Sequence, residues 1–289
     1  MCKNQCHPKR QNILLALKIF KSPLGFVGIL LVISVILAAI LADKIAPYDP
    51  YKIDLSRRLQ PPSWRNVFGT DELGRDILSR VLFGARISLQ AAFVIIGISA
   101  GLGSAIGVLA GLSGGSIDDI VMRLTDSFLA FPYLIFAMLV SAVLGPSLYN
   151  AMLAISVTWW PWYARLARGQ VLHIKNQLYM EAAKAIGVSG VRLFTKYLFR
   201  NAFSPIIVQA TLDVGYAILL ASSLSFIGLG AQPPLPEWGR MVADGRQYLL
   251  SYWWVPLFPG LAIFVTVLGF NLIGDVIRDF ADPRTRKWR

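Results

Sequence analysis

The sequence predicts an all-α membrane protein that crosses the bilayer six times, and three observations carry that prediction. The chain is 55% hydrophobic and 15% charged, with a mean hydropathy of +0.57, a balance that a water-soluble domain would have to expose as large apolar patches. Its charges are gathered between apolar runs long enough to cross a hydrocarbon core of about 30 Å. The formal net charge of +12 sits at the flanks of those runs, which points to a membrane surface and away from nucleic acid.

The first run, Leu24 to Ala42, carries no charge. It is too long for the apolar part of a secretory leader and lacks a small-residue cleavage site before Asp43, so it is expected to stay as a span. Ile87 to Ile117 is charge-free and supplies the second. Ser127–Ala164 would be about 57 Å long as one helix, enough for two crossings. Gly145-Pro146-Ser147 provides the break between them, because Pro removes a backbone donor and Gly tolerates a turn. About Phe203–Ile227 and about Trp254–Gly274 complete the six, with Trp253 and Trp254 suited to an interfacial belt. Gly97 and Gly101, then Gly103, Gly107 and Gly111, recur at spacing four, which allows close helix packing.

Basic residues set the orientation. Lys3, Lys9, Arg10, Lys18 and Lys21 precede the first span with no acid among them, and Arg165, Arg168, Lys175, Lys184, Arg192, Lys196 and Arg200 accompany a single acid, Glu181. Both termini are therefore expected in the cytoplasm. The resulting plan is a cytoplasmic tail over 1–23, a span over 24–42, an extracytoplasmic segment with an interfacial helix over 43–86, a core of five spans over 87–277, and a second tail over 278–289. Within 70–86, Asp76 and Arg80 are expected to pair along that interfacial helix. Arg123 and Asp126 are expected to pair locally in the same way. The loop 228–252, rich in Gly and Pro, reads as a rigid connector that exposes Trp238.

The segment between the fourth and fifth spans is longer than a simple loop needs to be. Asn176–Ile186 is helix-compatible, Gly187-Val188-Ser189-Gly190 offers a turn, and a second helix begins at Val191. On that helix Val191, Leu193, Phe194, Tyr197 and Leu198 share a face opposite Arg192, Lys196 and Arg200. A basic amphipathic helix of this kind fits either anionic lipid or an acidic partner surface; the helix and turn before it favour docking.

Glu181-Ala182-Ala183, followed after three residues by Gly187, resembles the EAA loop of permease subunits in binding-protein-dependent ABC importers. The resemblance extends to Thr70-Asp71-Glu72-Leu73-Gly74-Arg75-Asp76, Leu224 to Gly230, Pro236-Glu237-Trp238-Gly239 and Asn271 to Asp275. These motifs are similar to those of the second, C-type permease of the dipeptide, oligopeptide and nickel family, with its type I importer architecture. In that family the EAA loop, here within 169–200, docks on the ATPase. The resemblance thus implies ATPase-coupling roles for Glu181, Ala182, Ala183 and Gly187, to which the basic stripe of Arg192, Lys196 and Arg200 is added. It also implies four kinds of partner: a homologous second permease, two ABC ATPase subunits that hold ATP and Mg, an extracytoplasmic substrate-binding protein, and lipid of a bacterial or archaeal cytoplasmic (inner) membrane. Peptides are the first expected cargo, nickel chelates or another small solute the second.

No enzyme chemistry is expected in this chain. The sequence contains no Gly-Lys pair, so a phosphate-binding loop is absent and no nucleotide, cofactor or metal is expected to bind. Cys2, Cys6 and His7 lie together in the tail without a second ligand pair at metal spacing. An intramembrane protease lacks a histidine at membrane depth, since His7 and His173 fall outside the spans. An uncoupled channel would leave the structured cytoplasmic segment without a purpose. Asp213, inside the fifth span, is expected to face protein or a wet cavity, as a pathway-lining group or as a buried structural acid. Asn271 is the other candidate for lining the pathway.

Overall fold

The computed structural model describes residues 22–188, 190–193 and 200–281. Ten helices follow in chain order among them: α1 (Pro23–Ile45), α2 (Ile77–Ser113), α3 (Gly115–Leu129), α4 (Tyr133–Leu144), α5 (Leu148–Lys175), α6 (Leu178–Ala185), α7 (Gly190–Arg192), α8 (Arg200–Ile227), α9 (Trp238–Gly245) and α10 (Trp254–Ala281). The described residues hold no strand, only an isolated bridge between Thr70 and Asp76.

Four helices are long and apolar enough to cross a bilayer, within α1, α2, α8 and α10, and a fifth if the bent pair α3 and α4 counts as one. The expected break at Gly145 is present, with α4 ending at Leu144 and α5 beginning at Leu148. A second break was not expected: α3 and α4 meet at 88°. Pro132 explains it, since it cannot donate to the preceding turn and it disfavours helical geometry at Phe131. The fourth expected span, after the Gly145 break, corresponds to α5, 28 residues with Pro161 inside. Arg165, Arg168 and the histidine and lysine of its last turn lower its hydropathy, so length and apolarity alone do not count it.

Glycines set the closest helix crossings. A Cβ on Gly103 would lie 2.7 Å from the Tyr163 Cβ, and one on Gly107 would lie 2.8 Å from the Ala164 Cα and closer still to its carbonyl oxygen. The α2 and α5 backbones therefore touch with nothing between them, as small-residue packing in membranes requires. Gly28 of α1 meets Leu272 of α10 in the same manner, and Gly269 of α10 returns the contact against Val32. A Cβ on Gly97 or Gly101, the other part of the spacing-four pattern, would meet no described residue within 4 Å. Among the described residues, only one of the two small-residue stripes meets another helix.

Residues 44–76 and 228–253 close one end of the bundle. No separate interfacial helix precedes the second span; residues 77–86 are the first turns of the continuous α2. Asp76 caps α2 by accepting from the Ser79 amide at 2.8 Å, and it accepts from Asn66 Nδ2 at 2.7 Å. It is thus occupied, and Arg80 reaches Asp71 instead, with Nε 3.5 Å from the Asp71 Oδ2. Asp71 also accepts from Arg75 Nε at 2.6 Å and from the amides of Leu73 and Arg75. Arg80 further donates to the Pro50 carbonyl at 3.0 Å. The expected Asp76–Arg80 pair is replaced because the chain folds back and offers each residue a better partner.

The 228–252 segment is more than a connector. Glu237 caps α9, accepting from the amides of Gly239 and Arg240 at 3.0 and 2.9 Å. Its carboxylate also accepts from Ser222 Oγ of α8 at 3.2 Å. Trp238 was expected to be exposed; it is 1% exposed and donates from Nε1 to the Val81 carbonyl at 3.0 Å. The missing Cβ of Gly84 opens the slot its ring fills. Of the two belt candidates, Trp253 is half exposed while Trp254 is buried.

Candidate coupling segment and intramembrane acid

At the opposite end of the bundle α5 continues three turns past Arg165, so the first part of the 169–200 segment is helix rather than loop. Asn176 and Gln177 turn the chain, and the Gln177 carbonyl accepts from the Met180 amide at 2.8 Å to start α6. Successive residues rotate by about 100°, which places Met180 and Ala183 on one face and Leu178, Ala182, Ala185 and Ile186 on the other. Met180 and Ala183 are buried, and Met180 joins a cluster with Val171, Ile174 and Ala202. Leu178 and Ile186 are 82% and 80% exposed, and Glu181 and Ala182 are exposed beside them. The outward face is apolar and partly made of alanine, a surface that another backbone can approach closely.

Gly187 ends α6. Its φ is +77°, a region where an L side chain costs about 1–2 kcal/mol. The Val188 amide then donates to the Ala183 carbonyl at 3.1 Å, the six-residue closure of a glycine-terminated helix. A Cβ on Gly187 would meet nothing within 4 Å, so backbone conformation alone demands glycine here. Arg192 is exposed at the end of α7. Lys196, with Phe194, Tyr197 and Leu198, lies outside the described residues, as do Cys2, Cys6 and His7; Arg200 opens α8.

Asp213 is buried at 8% exposure in α8. Its carboxylate accepts from the Tyr163 hydroxyl at 2.6 Å and from Gln209 Nε2 at 2.9 Å. Both oxygens are thereby bonded within the protein, which satisfies a carboxylate away from water. Asn271 is exposed and approaches α8 at Gly215. Gly215 is two residues, or about 200°, from Asp213 on the helix, so the two candidates lie on different faces of α8. Sequence reasoning missed Tyr163, and it missed the aromatic group in which the Tyr216 and Tyr133 hydroxyls meet and Trp159 packs edge-on against Tyr216 at 5.1 Å. A usable signal was there: a phenol and an acid in neighbouring apolar spans each require a partner.

Charge pairing at this end also departs from local expectation. Asp126 accepts from Arg165 Nη2 at 2.6 Å, not from Arg123 three residues away. Arg168 makes a two-point pair with Asp118, at 2.6 and 2.7 Å. Lys175 Nζ donates to the carbonyls of Gly111 and Leu112 at 3.0 and 3.2 Å, closing the C-terminus of α2.

A bundle of long apolar helices with a folded helical segment at one end defines a multi-pass membrane protein. Residues 103–287 match the family described as the inner membrane component of binding-protein-dependent transport systems, and residues 15–62 match the N-terminal transmembrane domain of oligopeptide transport permease C. The probable D,D-dipeptide transport system permease protein DdpC of Escherichia coli K12 is 49% identical over 91% of this chain and 88% of that protein. The dipeptide transport system permease protein DppC of Alkalihalophilus pseudofirmus is 44% identical over 92% and 88%. Among solved structures, the inward-facing MetNI methionine ABC transporter matches 69% of this chain and 95% of that chain, with a TM-score of 0.55 at 20% identity, a likeness of fold. The chain belongs to the binding-protein-dependent transport permeases, as a C-type permease subunit.

Proposed function

We infer that this chain forms half of the membrane pathway of a peptide importer and is driven by ATPase subunits that dock on α6. The observation that carries the reading is the outward apolar face of α6, Leu178, Ala182, Ala185 and Ile186, ended by the Gly187 turn. An exposed apolar helix face outside the spans costs solvation free energy unless something covers it. Glu181, beside that face, is placed to accept hydrogen bonds from the partner. Arg192, with Lys196 and Arg200, extends the docking surface with positive charge.

Peptide cargo is the reading that both dipeptide relatives support; Asp213 and Asn271 are carried as pathway candidates, Asp213 by exchanging a Tyr163 or Gln209 bond for a substrate amine. ATP and Mg belong to two partner ATPases, a homologous second permease supplies the other half of the path, and an extracytoplasmic binding protein delivers substrate. Both termini and α6 face the cytoplasm of a bacterial or archaeal cell, across its inner membrane. Transport is a shift between inward-open and outward-open bundles, driven by the different affinity of each for the ATP-bound ATPases.

The test replaces Gly187 with Pro, whose φ of about −65° is incompatible with the observed turn. The expected result is loss of ATPase subunits on copurification while the chain still inserts in the membrane. Copurification and ATP-dependent uptake at wild-type levels, or a topology reporter placing Glu181 outside the cell, would refute the proposal.

A further inference from the structure

Helix α3 is attached to the bundle in an unusual way. Of its fifteen residues only Asp118 and Thr125 are buried, and Thr125 spends its hydroxyl on the Val121 carbonyl of its own helix. Ile117, Ile120 and Leu124, the large apolar side chains of its other face, are exposed. What binds α3 to its neighbours is partly buried Val121, Met122, Phe128 and Leu129 together with two ion pairs, Arg168 with Asp118 and Arg165 with Asp126, Phe128 meeting the rings of Trp160 at 5.6 Å and Phe136 at 5.5 Å.

The cations come from one side of one helix. Arg165, Arg168 and Lys175 fall within about 80° of one another around α5. Arg165 and Arg168 hold α3, and Lys175 holds the last carbonyls of α2. Helix α5 is also the element that runs, through Asn176 and Gln177 alone, into α6. A push on α6 thus reaches α5 first, and the directional links from the moving helix to α3 are the two ion pairs.

Resting on the reading of α6 as the ATPase-docking helix, we propose that Arg165, Arg168 and Lys175 are positioning residues of transport, which make α3 and the end of α2 follow α5 when α6 is moved. The two-point Arg168–Asp118 pair is the principal link, because its planar fork fixes both distance and angle. The single-point Arg165–Asp126 pair keeps α3 from pivoting about it. The 88° bend at Pro132 gives α4 a direction of its own, and its Ser141 hydroxyl donates to the Leu229 carbonyl at the other end of the bundle.

The experiment uses the complete complex, permeases with ATPases, reconstituted in vesicles with its binding protein, and compares R168A, D118A and the exchanged pair R168D with D118R. Three quantities are read: ATPase copurified per permease, ATP hydrolysed, and dipeptide taken up per ATP. In R168A and D118A the copurified ATPase stays at the wild-type level, while uptake per ATP falls about tenfold, within the range for changes along a coupling network. The exchanged pair recovers most of that loss. Uptake per ATP unchanged in both single variants, or an exchanged pair no better than R168A and D118A, overturns the proposal. If a single variant lowers assembly, uptake is normalised to assembled complex and the same two comparisons decide. Failure of the docking reading appears elsewhere, as ATPase retained by Gly187→Pro.

Discussion

Two glycines on α2, six residues apart, are expected to respond to the same substitution with opposite signs. Gly107 faces α5, where a Cβ would lie 2.8 Å from the Ala164 Cα, whereas Gly101 has nothing within 4 Å. Replacing either with Ala removes the same backbone entropy from the unfolded chain and raises helix stability by about 0.5–1 kcal/mol. That gain is common to both and cancels in their difference. What remains is steric: ordinary van der Waals contact needs 3.4–4 Å, and the new Cβ would lie 2.1 Å from the Ala164 carbonyl oxygen, so α5 must retreat by about 1.3 Å or more at its closest crossing, an overpacking cost of about 1–3 kcal/mol. Gly107→Ala should therefore unfold more readily than Gly101→Ala by that amount, a separation of roughly 2–12 °C in thermal midpoint for a chain near this size. The assay is thermal unfolding of the purified chain in detergent, with each variant compared with wild type and the two compared with each other. Gly101→Ala should match or exceed wild type. Equal midpoints for the two variants would refute the reasoning, since they would mean that the α2–α5 backbone contact is not set by Gly107.

Two further outcomes follow from the buried charges at the other end of the bundle. Burial pushes the Glu237 carboxyl above its ordinary range, against the hydrogen bonds it accepts from Gly239 and Arg240. A raised acid binds its proton more tightly in the folded state, so this group's stabilisation is complete below the unfolded value of about 4.5 and is lost as pH rises through the folded value. Unfolding midpoints followed upward from pH 4 should fall less steeply in Glu237→Gln than in wild type; identical slopes would count against it. Asp71→Ala leaves Arg75 and Arg80 buried without their shared carboxylate, at a cost of about 3–5 kcal/mol. Limited proteolysis of the 44–76 segment should detect it, and protection equal to wild type would contradict the pairing.

Much of this architecture was legible because hydropathy is a local property. The apolar stretches of α1, α2 and α10 are visible as charge-free intervals, and that of α8 as one interrupted only by Asp213, since each residue must suit lipid or protein whatever its neighbours are. The Gly145 break and the α6 helix with its Gly187 turn were legible for a related reason: the residues that make a turn are themselves at the turn. Proline was a less reliable guide. Pro132 bends the chain sharply, while Pro161, Pro205 and Pro259 sit inside continuous helices; within a bundle, neighbouring groups can satisfy the carbonyl that a proline leaves free, and that supply is invisible in sequence.

What the sequence by itself determined is a helical membrane chain with a folded segment outside its spans, and a permease kinship written in short motifs. Which charge meets which was decided only by tertiary structure. Asp126 passes over Arg123 for Arg165, Asp76 leaves Arg80 to Asp71, and Trp238 is covered instead of exposed. Spacing along one helix offers a partner worth a few tenths of a kcal/mol, whereas a carboxylate that the fold brings to a buried guanidinium, as Asp71 is brought to Arg80, meets it at lower dielectric and is worth more. Such a partner exists only once α2, α5 and the closing loops are packed.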